Sequence, residues 1–300
     1  MNPLPLHFWL IDWLKLSESR AREVCVGLER ALHTNGGATP IDAPSGADAP
    51  AQIGLPKAVL IWRDYQVSLS HAQAGGIAAI SPNKLTLALQ AERKRALLAA
   101  KCRSESAFAL SMYLAKLADE AQLGSGDSTA LIGLLTPLAQ ASPSAAAYDH
   151  RSALLAQELL AGKVYGDAGA ALVILLRRIA QTAQAAAQCA ELAEFAPGAL
   201  EQGAALAKSA LPLGELARQG DVASALANAS LFLHALSTVC ACWLMLDQAL
   251  CAKRLAHAEF ASLANNCRYL HRYELPNVRT AVDLLSRADR TCLDTDLAWF

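Results

Sequence analysis

Hydrophobic side chains recur along the second half of the chain with the spacing of an α-helix. Between residues 221 and 252 they follow one another at steps of four and three, which places them in one stripe along a helix. Asp221 stands just before the first of them and is a favourable N-cap residue, because its carboxylate can accept hydrogen bonds from free backbone N–H groups. The pattern predicts one long helix over 221–252, packed along its whole length on Val222, Leu226, Ala229, Leu233, Leu236, Cys240 and Trp243.

Two further helical stretches follow on either side of Pro276. We expect them to form an antiparallel pair, because so short a connection leaves little alternative. The predicted stripe of 253–274 consists of Phe260, Leu263, Cys267 and Leu270, and that of the last helix consists of Val278, Val282, Leu285 and Cys292.

Glycine and proline divide the remaining helical sequence into segments. We expect breaks at 75–76, 81–82, 124–126, 142–143, 196–198, 211–212, 219–220 and 275–276. No segment alternates apolar and polar residues with the period of two that a half-buried strand shows. The sequence therefore predicts an all-α fold.

The first 56 residues differ in character from the rest. Residues 8–33 have a helical pattern that ends at Asn35, Gly36 and Gly37, and we assign 1–34 as an N-terminal helix. Residues 35–56 form a Pro/Gly/Ala-rich linker without hydrophobic periodicity. Asp12 and Lys15 interrupt the apolar N-terminus well before the ~20 residues that a transmembrane helix requires. We expect no membrane span.

Composition narrows the classes of function further. The chain is 54% hydrophobic and 18% charged, with a net charge of -1, so it can bury a large core and carries no concentrated positive surface for phosphates. We therefore expect no nucleic-acid partner. The 8 cysteines include no C-x-x-C pair and indicate buried thiols in a cytoplasmic protein.

Local motifs for catalysis or metal binding are weak. Cys240 and Cys242 are two residues apart and point in different directions on a helix, and the histidines stand singly, so no metal site is predicted. The glycine-rich string at 124–128 lacks the strand that a nucleophile elbow or a dinucleotide-binding turn requires. The charged cluster 92–95 indicates a solvated helix face.

Four longer stretches are similar to the larger acyl-CoA dehydrogenases. They are 64–72 (DYQVSLSHA) with the helix that follows, 134–141 (LLTPLAQA) with Gln157 downstream, 228–249, and 267–276 (CRYLHRYELP). The chain from residue 57 to its end resembles the C-terminal helical half of that family. The resemblance implies an up-and-down helical bundle over 57–195, extended by the extra C-terminal helical domain of the long members over 196–300.

Members of this family oxidise an acyl-CoA with a glutamate base and FAD. Alignment to the family's motifs places Gln184 at the approximate position of the base and Gln73 near that of an arginine that contacts the flavin. An amide cannot remove the α-proton, so the resemblance implies no catalytic residue in this chain. Another branch of the family supplies its base from an earlier helix, and only Asp42 and Asp48 lie near that position. We expect the N-terminal helical and middle β-barrel domains to be absent.

The resemblance therefore predicts a degenerate relative, a pseudoenzyme of lipid metabolism that binds no cofactor alone. The first interpretation is a non-catalytic subunit or scaffold that forms a homo-oligomer or pairs with a full-length acyl-CoA dehydrogenase. The alternative is a contributing subunit of a heteromeric enzyme that acts on the CH–CH group of acyl thioesters, with FAD supplied by a partner subunit. Acyl-CoA is a further candidate ligand, either in that complex or bound to the isolated helical bundle.

Overall fold

A computed structural model of the chain describes residues 12–15, 84–141 and 150–299. Helices form nearly all of these ranges, and no strand occurs in them. The all-α prediction is therefore confirmed. Internal packing divides the chain into two units, Met1–Asp119 and Glu120–Phe300, which are described separately.

In the first unit, the described residues belong mainly to α1 (Lys84–Gln122), whose last three residues enter the second unit. Its charged stretch 92–95 is exposed, with an ion pair between Glu92 and Arg95, which confirms the predicted solvated face. Further along α1, Phe108 and Met112 are buried. The helix therefore changes from a solvated to a buried environment along its length.

The second unit is a set of helices around one central helix. Its elements are α2 (Gly126–Gln140), α3 (His150–Glu158), α4 (Ala170–Ala187), α5 (Ala196–Arg218), α6 (Val222–Leu226), α7 (Ala229–Arg254), α8 (Phe260–Tyr269) and α9 (Asn277–Ser286). Two π-helical segments extend α3 and α8, namely π1 (Leu159–Tyr165) and π2 (Leu270–Glu274).

The central helix α7 is in contact with α2, α3, α4, α5, α8 and α9. Its buried residues lie on nearly every side, from Phe232 to Ala252, rather than in one stripe. Gly203 of α5 permits a close approach at this point, since a Cβ there would lie 3.0 Å from Leu176 Cδ2 and 3.2 Å from Val239 Cγ1. The core of the second unit is therefore built around α7.

The predicted helix over 221–252 is wrong as a single element. Asp221 does cap a helix, because its Oδ1 accepts a hydrogen bond from the backbone N–H of Ser224 (3.1 Å). That helix ends after one short turn, and α7 begins at Ala229, because Asn228 leaves the helical conformation and its side chain donates to the Asp289 carbonyl (2.6 Å). Val222 is exposed, so the stripe does not pack along its whole length.

Other boundaries also differ from the sequence prediction. Pro212 lies inside α5 and causes no break, whereas the breaks at 124–126, 196–198, 219–220 and 275–276 are confirmed. The helix predicted over 253–274 starts at Phe260. Instead of pairing with α8, α9 packs mainly on α5 and α7, and Cys292 is exposed beyond its end.

One stretch of the described residues, Val222–Arg254, is long and apolar enough to cross a membrane. In the most apolar 18 residues of this stretch, 67% is buried inside the protein, as is typical of a core helix. A second candidate would require α3, π1 and α4 to act as one span, although they are bent by 91°. The absence of a membrane span stays a prediction, as do the predicted domain boundaries.

Candidate functional site

Gln184, which the resemblance places at the approximate position of the family base, lies on the outer side of α4. Helix α4 begins after Gly169, whose φ of 77° lies in the left-handed region, and Asp167 accepts hydrogen bonds from the N–H groups of Gly169 (3.0 Å) and Ala171 (3.4 Å). Gln184 is exposed, while its neighbour Ala183 is buried. This position therefore presents a neutral amide to solvent.

The opposite side of α4 joins α7 through a buried polar network. Trp243 Nε1 donates to Thr182 Oγ1 (3.0 Å), and Thr182 Oγ1 donates to Asp247 Oδ1 (3.2 Å). Trp243 is only 3% exposed, so this hydrogen bond lies in the core. The network fixes the α4–α7 contact next to Gln184 and has a structural role.

A second polar cluster connects the end of α1 with α2 and α4. Glu120 accepts a hydrogen bond from Ser128 Oγ (2.6 Å) and pairs with Arg178, whose Nη2 lies 3.6 Å from Glu120 Oε2. Arg178 lies on α4, six residues before Gln184. In this structure it holds helices together.

Helix α2 and the segment π1 lie side by side. Lys163 of π1 extends across Gly133 of α2, where a Cβ would lie 3.5 Å from Lys163 Cε. Tyr165 donates from its hydroxyl to the Ala225 carbonyl (3.3 Å), and burial raises the pKa of this phenol, which keeps it neutral. Gly162 and Gln157 are exposed. The contacts of Lys163 and Tyr165 position helices, and these residues do not form an acid–base pair.

The segment 267–276, which carries the most specific resemblance, fixes α8 and π2 against the start of α5. Glu194 forms ion pairs with Arg272 (3.1 Å) and Arg268 (4.0 Å). The ring of His271 lies against Phe195, with ring centroids 5.1 Å apart. Tyr269 donates to Glu274 Oε1 (2.7 Å). The segment 267–276 therefore joins α8 and π2 to the start of α5 within the domain.

The remaining predicted site residues are not brought together. Gln73, Asp42 and Asp48 lie outside the described residues. Within the described ranges no group of three or more His, Cys, Asp or Glu could hold a metal ion. Cys240 and Cys242 are buried, and burial raises the pKa of the Cys240 thiol to about 12, so it stays protonated. The two positions that the resemblance assigns to the base and to the flavin contact, Gln184 and Gln73, hold neutral amides.

Gln248 of α7 is a buried polar residue that sequence reasoning missed. It is fully buried, and neither Nε2 nor Oε1 has a hydrogen-bond partner among the described residues. Asn266 of α8 is equally buried, but its Nδ2 lies 3.9 Å from Met245 Sδ as a donor. Only tertiary packing determines which amide has a partner, so no sequence signal identifies Gln248.

We expect Gln248→Met to stabilise the protein by about 1–3 kcal/mol, because it removes the cost of burying an unsatisfied amide while keeping an unbranched side chain. Urea unfolding measures the difference. Asn266→Leu is the matched control and should destabilise the protein, because it removes a partnered amide. A loss of stability in Gln248→Met would contradict the assignment of Gln248 as unpartnered.

Comparison with known families agrees with the helical fold and the C-terminal motif. Residues 175–296 match the family model described as "Acetyl-CoA dehydrogenase C-terminal like". This match contains α5 to α9 and most of α4, including Gln184 and the segment 267–276. No curated protein matches the chain.

The residues of this match form a helical domain. More particularly, the chain contains an acyl-CoA dehydrogenase C-terminal-like domain. The resemblance inferred from 228–249 and 267–276 is confirmed, while 64–72 and 134–141 lie outside the matched residues.

Proposed function

We propose that the chain is a non-catalytic helical subunit or scaffold that associates with a second copy or with a full-length flavin-dependent acyl-CoA dehydrogenase. The proposal rests on one observation, the chemical nature and exposure of the Gln184 side chain. Its side chain is an amide with no ionisable group, and it stands exposed on α4 within an acyl-CoA dehydrogenase C-terminal-like domain. Abstraction of an α-proton requires a base, and an amide cannot accept that proton at neutral pH.

The packing of the second unit supports a structural role. Polar residues at the motif positions are engaged in holding helices together, as in the contacts of Trp243 with Thr182 and of Glu194 with Arg272. At the same time α3, α4 and α5 each expose a large apolar side chain, namely Leu154 (52%), Val173 (57%) and Leu211 (70%). Burying such side chains in an interface stabilises an assembly.

Association is tested by co-expressing the chain with a full-length acyl-CoA dehydrogenase from the same genome. Light scattering after gel filtration gives the mass of the chain alone and of any complex. The proposal predicts a homo-oligomer or a complex of defined stoichiometry. A chain that stays monomeric, both alone and with the dehydrogenase, would contradict it.

The same preparations test the catalytic alternative, in which a partner supplies FAD and the base. Flavin absorbance near 450 nm and dye reduction by acyl-CoA are measured for the complex and for the dehydrogenase without this chain. If the chain is a scaffold, the turnover per flavin is equal in both. Turnover that depends on the chain would favour a contributing subunit of a heteromeric enzyme.

Replacing Gln184 tests whether this position takes part in any such activity. We expect Gln184→Ala to leave flavin-linked turnover of a complex unchanged within twofold, because an exposed amide at this position holds no reacting proton. Gln181→Ala is the matched control, since Gln181 is also exposed on α4. A large loss confined to Gln184→Ala, measured as dye reduction, would show that Gln184 is functional.

A further inference from the structure

His271 lies in π2, at the point where this segment packs on the start of α5. Its Nδ1 lies 2.9 Å from the Cys267 carbonyl oxygen. Because a carbonyl can only accept, Nδ1 carries the proton, and Nε2 of the neutral ring is unprotonated. Nε2 is buried without a hydrogen-bond partner among the described residues. A second proton on this ring would face only the backbone of Phe195, with which Nε2 makes no hydrogen bond in the closed structure.

The contact leaves little room for the ring to be hydrated. A Cβ on Gly198 would lie 2.9 Å from His271 Cδ2 and 2.9 Å from Leu275 Cδ2, and the ring also lies against Phe195. An imidazolium must keep both N–H groups hydrogen-bonded, and leaving a buried charge unpaired is costly. Nε2 is shielded from water in the closed contact, and separation of π2 from α5 would expose it.

The charges around His271 do not compensate for its burial. Burial lowers the pKa of His271, opposed by the backbone of Cys267 and Phe195 and by the Glu194 carboxylate. That carboxylate already pairs with Arg272 of π2 and Arg268 of α8. The other charged or titratable side chains on the helices packed around π2 are Glu201, Lys208, Glu215 and Arg218 of α5, His234, Asp247, Lys253 and Arg254 of α7, and Arg279 and Asp283 of α9.

We propose that His271 makes the junction between π2 and the start of α5 a pH-sensitive contact, which is closed while the imidazole is neutral and opens when Nε2 takes up a proton. The direction of the pH dependence follows from the linkage between proton binding and opening of the junction. The closed junction holds His271 with a lowered pKa, so the opened junction binds the proton more readily. The stability that the junction contributes is fully present above the ordinary histidine pKa, about 6.5, and is lost as the pH falls below it.

Hydrogen exchange at pH 7.5 and pH 5.5 tests the proposal, after correction for the intrinsic exchange rates. In the wild-type protein, amides of α8, π2 and α9 should open more often at the lower pH, by up to about tenfold per pH unit for one linked proton. His271→Phe and His271→Gln should both abolish this pH dependence. Equal pH dependence in the wild type and in the variants would overturn the proposal, as would an increase spread evenly over α2 to α5.

His234 provides the matched control. Its Nδ1 also lies close to the carbonyl of the residue four positions earlier, at 2.7 Å from Ser230 O, but in an exposed setting. His234→Phe should therefore keep the pH dependence of the wild type. A histidine titration by NMR gives a second readout on the wild-type protein alone: the pKa of His271 should lie below the ordinary histidine value, and a raised pKa of His271 would contradict the proposal.

Discussion

Replacing Trp243 with alanine is expected to lower the free energy of unfolding by about 3–5 kcal/mol. The side chain is 3% exposed in the centre of α7, and its indole N–H donates to Thr182 of α4. Alanine removes the buried ring, leaves a cavity and deprives Thr182 of its donor, and Thr182 also holds Asp247. Urea or thermal unfolding of the purified chain measures the effect.

Trp243→Phe separates the contribution of the ring from that of the hydrogen bond. Phenylalanine keeps an aromatic side chain in the core but cannot donate to Thr182, so we expect a loss smaller than that of Trp243→Ala. Thr182→Val removes the acceptor instead. If the melting temperature of Trp243→Ala equals that of the wild type, Trp243 is not in the core, and the α4–α7 contact described above is wrong.

Replacing Phe195 with alanine should also destabilise the protein by about 3–5 kcal/mol. Phe195 is 2% exposed, precedes the first residue of α5, and lies against the His271 ring. Its loss creates a cavity between the start of α5 and π2. Because burial is the main cause that lowers the pKa of His271, opening this cavity to water should raise that pKa toward its ordinary value.

Tyr273→Ala is the control for Phe195→Ala. Tyr273 is an aromatic residue of the same π2 segment and stacks on Tyr269, but it is 57% exposed. Its replacement should change stability by less than about 0.5 kcal/mol, as is usual for exposed positions. Equal losses in Phe195→Ala and Tyr273→Ala would contradict the buried packing of the α5–π2 junction.

The fold class and several helix ends could be predicted from sequence because they depend on local chemistry. Asp221 caps α6 through a hydrogen bond only three residues away, and Gly124 and Gly220 follow helix ends with a φ of 92°, which glycine adopts without strain. Such signals lie within one or two turns of the residue that shows them. The sequence therefore predicts these helix ends correctly.

The wrong boundaries depend on contacts between distant residues. Asn228 breaks the predicted helix over 221–252, and its side chain bonds the carbonyl of Asp289, 61 residues away. Pro212 stays inside α5, which is held by contacts with α4, α7 and α9. Neither hydrophobic period nor turn propensity reports such contacts.

The candidate site shows the same limit. The family resemblance located Gln184 and the segment 267–276, and both lie within the matched family domain. Other residues hold this domain together, including Thr182, Glu194 and His271. Their partners cannot be recognised from the sequence. Their partners are 61 to 78 positions away in the pairs of Trp243 with Thr182 and of Arg272 with Glu194. Spacing along the chain therefore could not reveal them.

The most direct test of the non-catalytic role is dye reduction by the purified chain with palmitoyl-CoA after incubation with FAD. A full-length acyl-CoA dehydrogenase assayed in parallel serves as the positive control. A non-catalytic chain should give no reduction above the rate without protein, since the resemblance places Gln184, an amide, at the position of the family base. Turnover by the isolated chain, proportional to its concentration and dependent on FAD, would contradict the proposal.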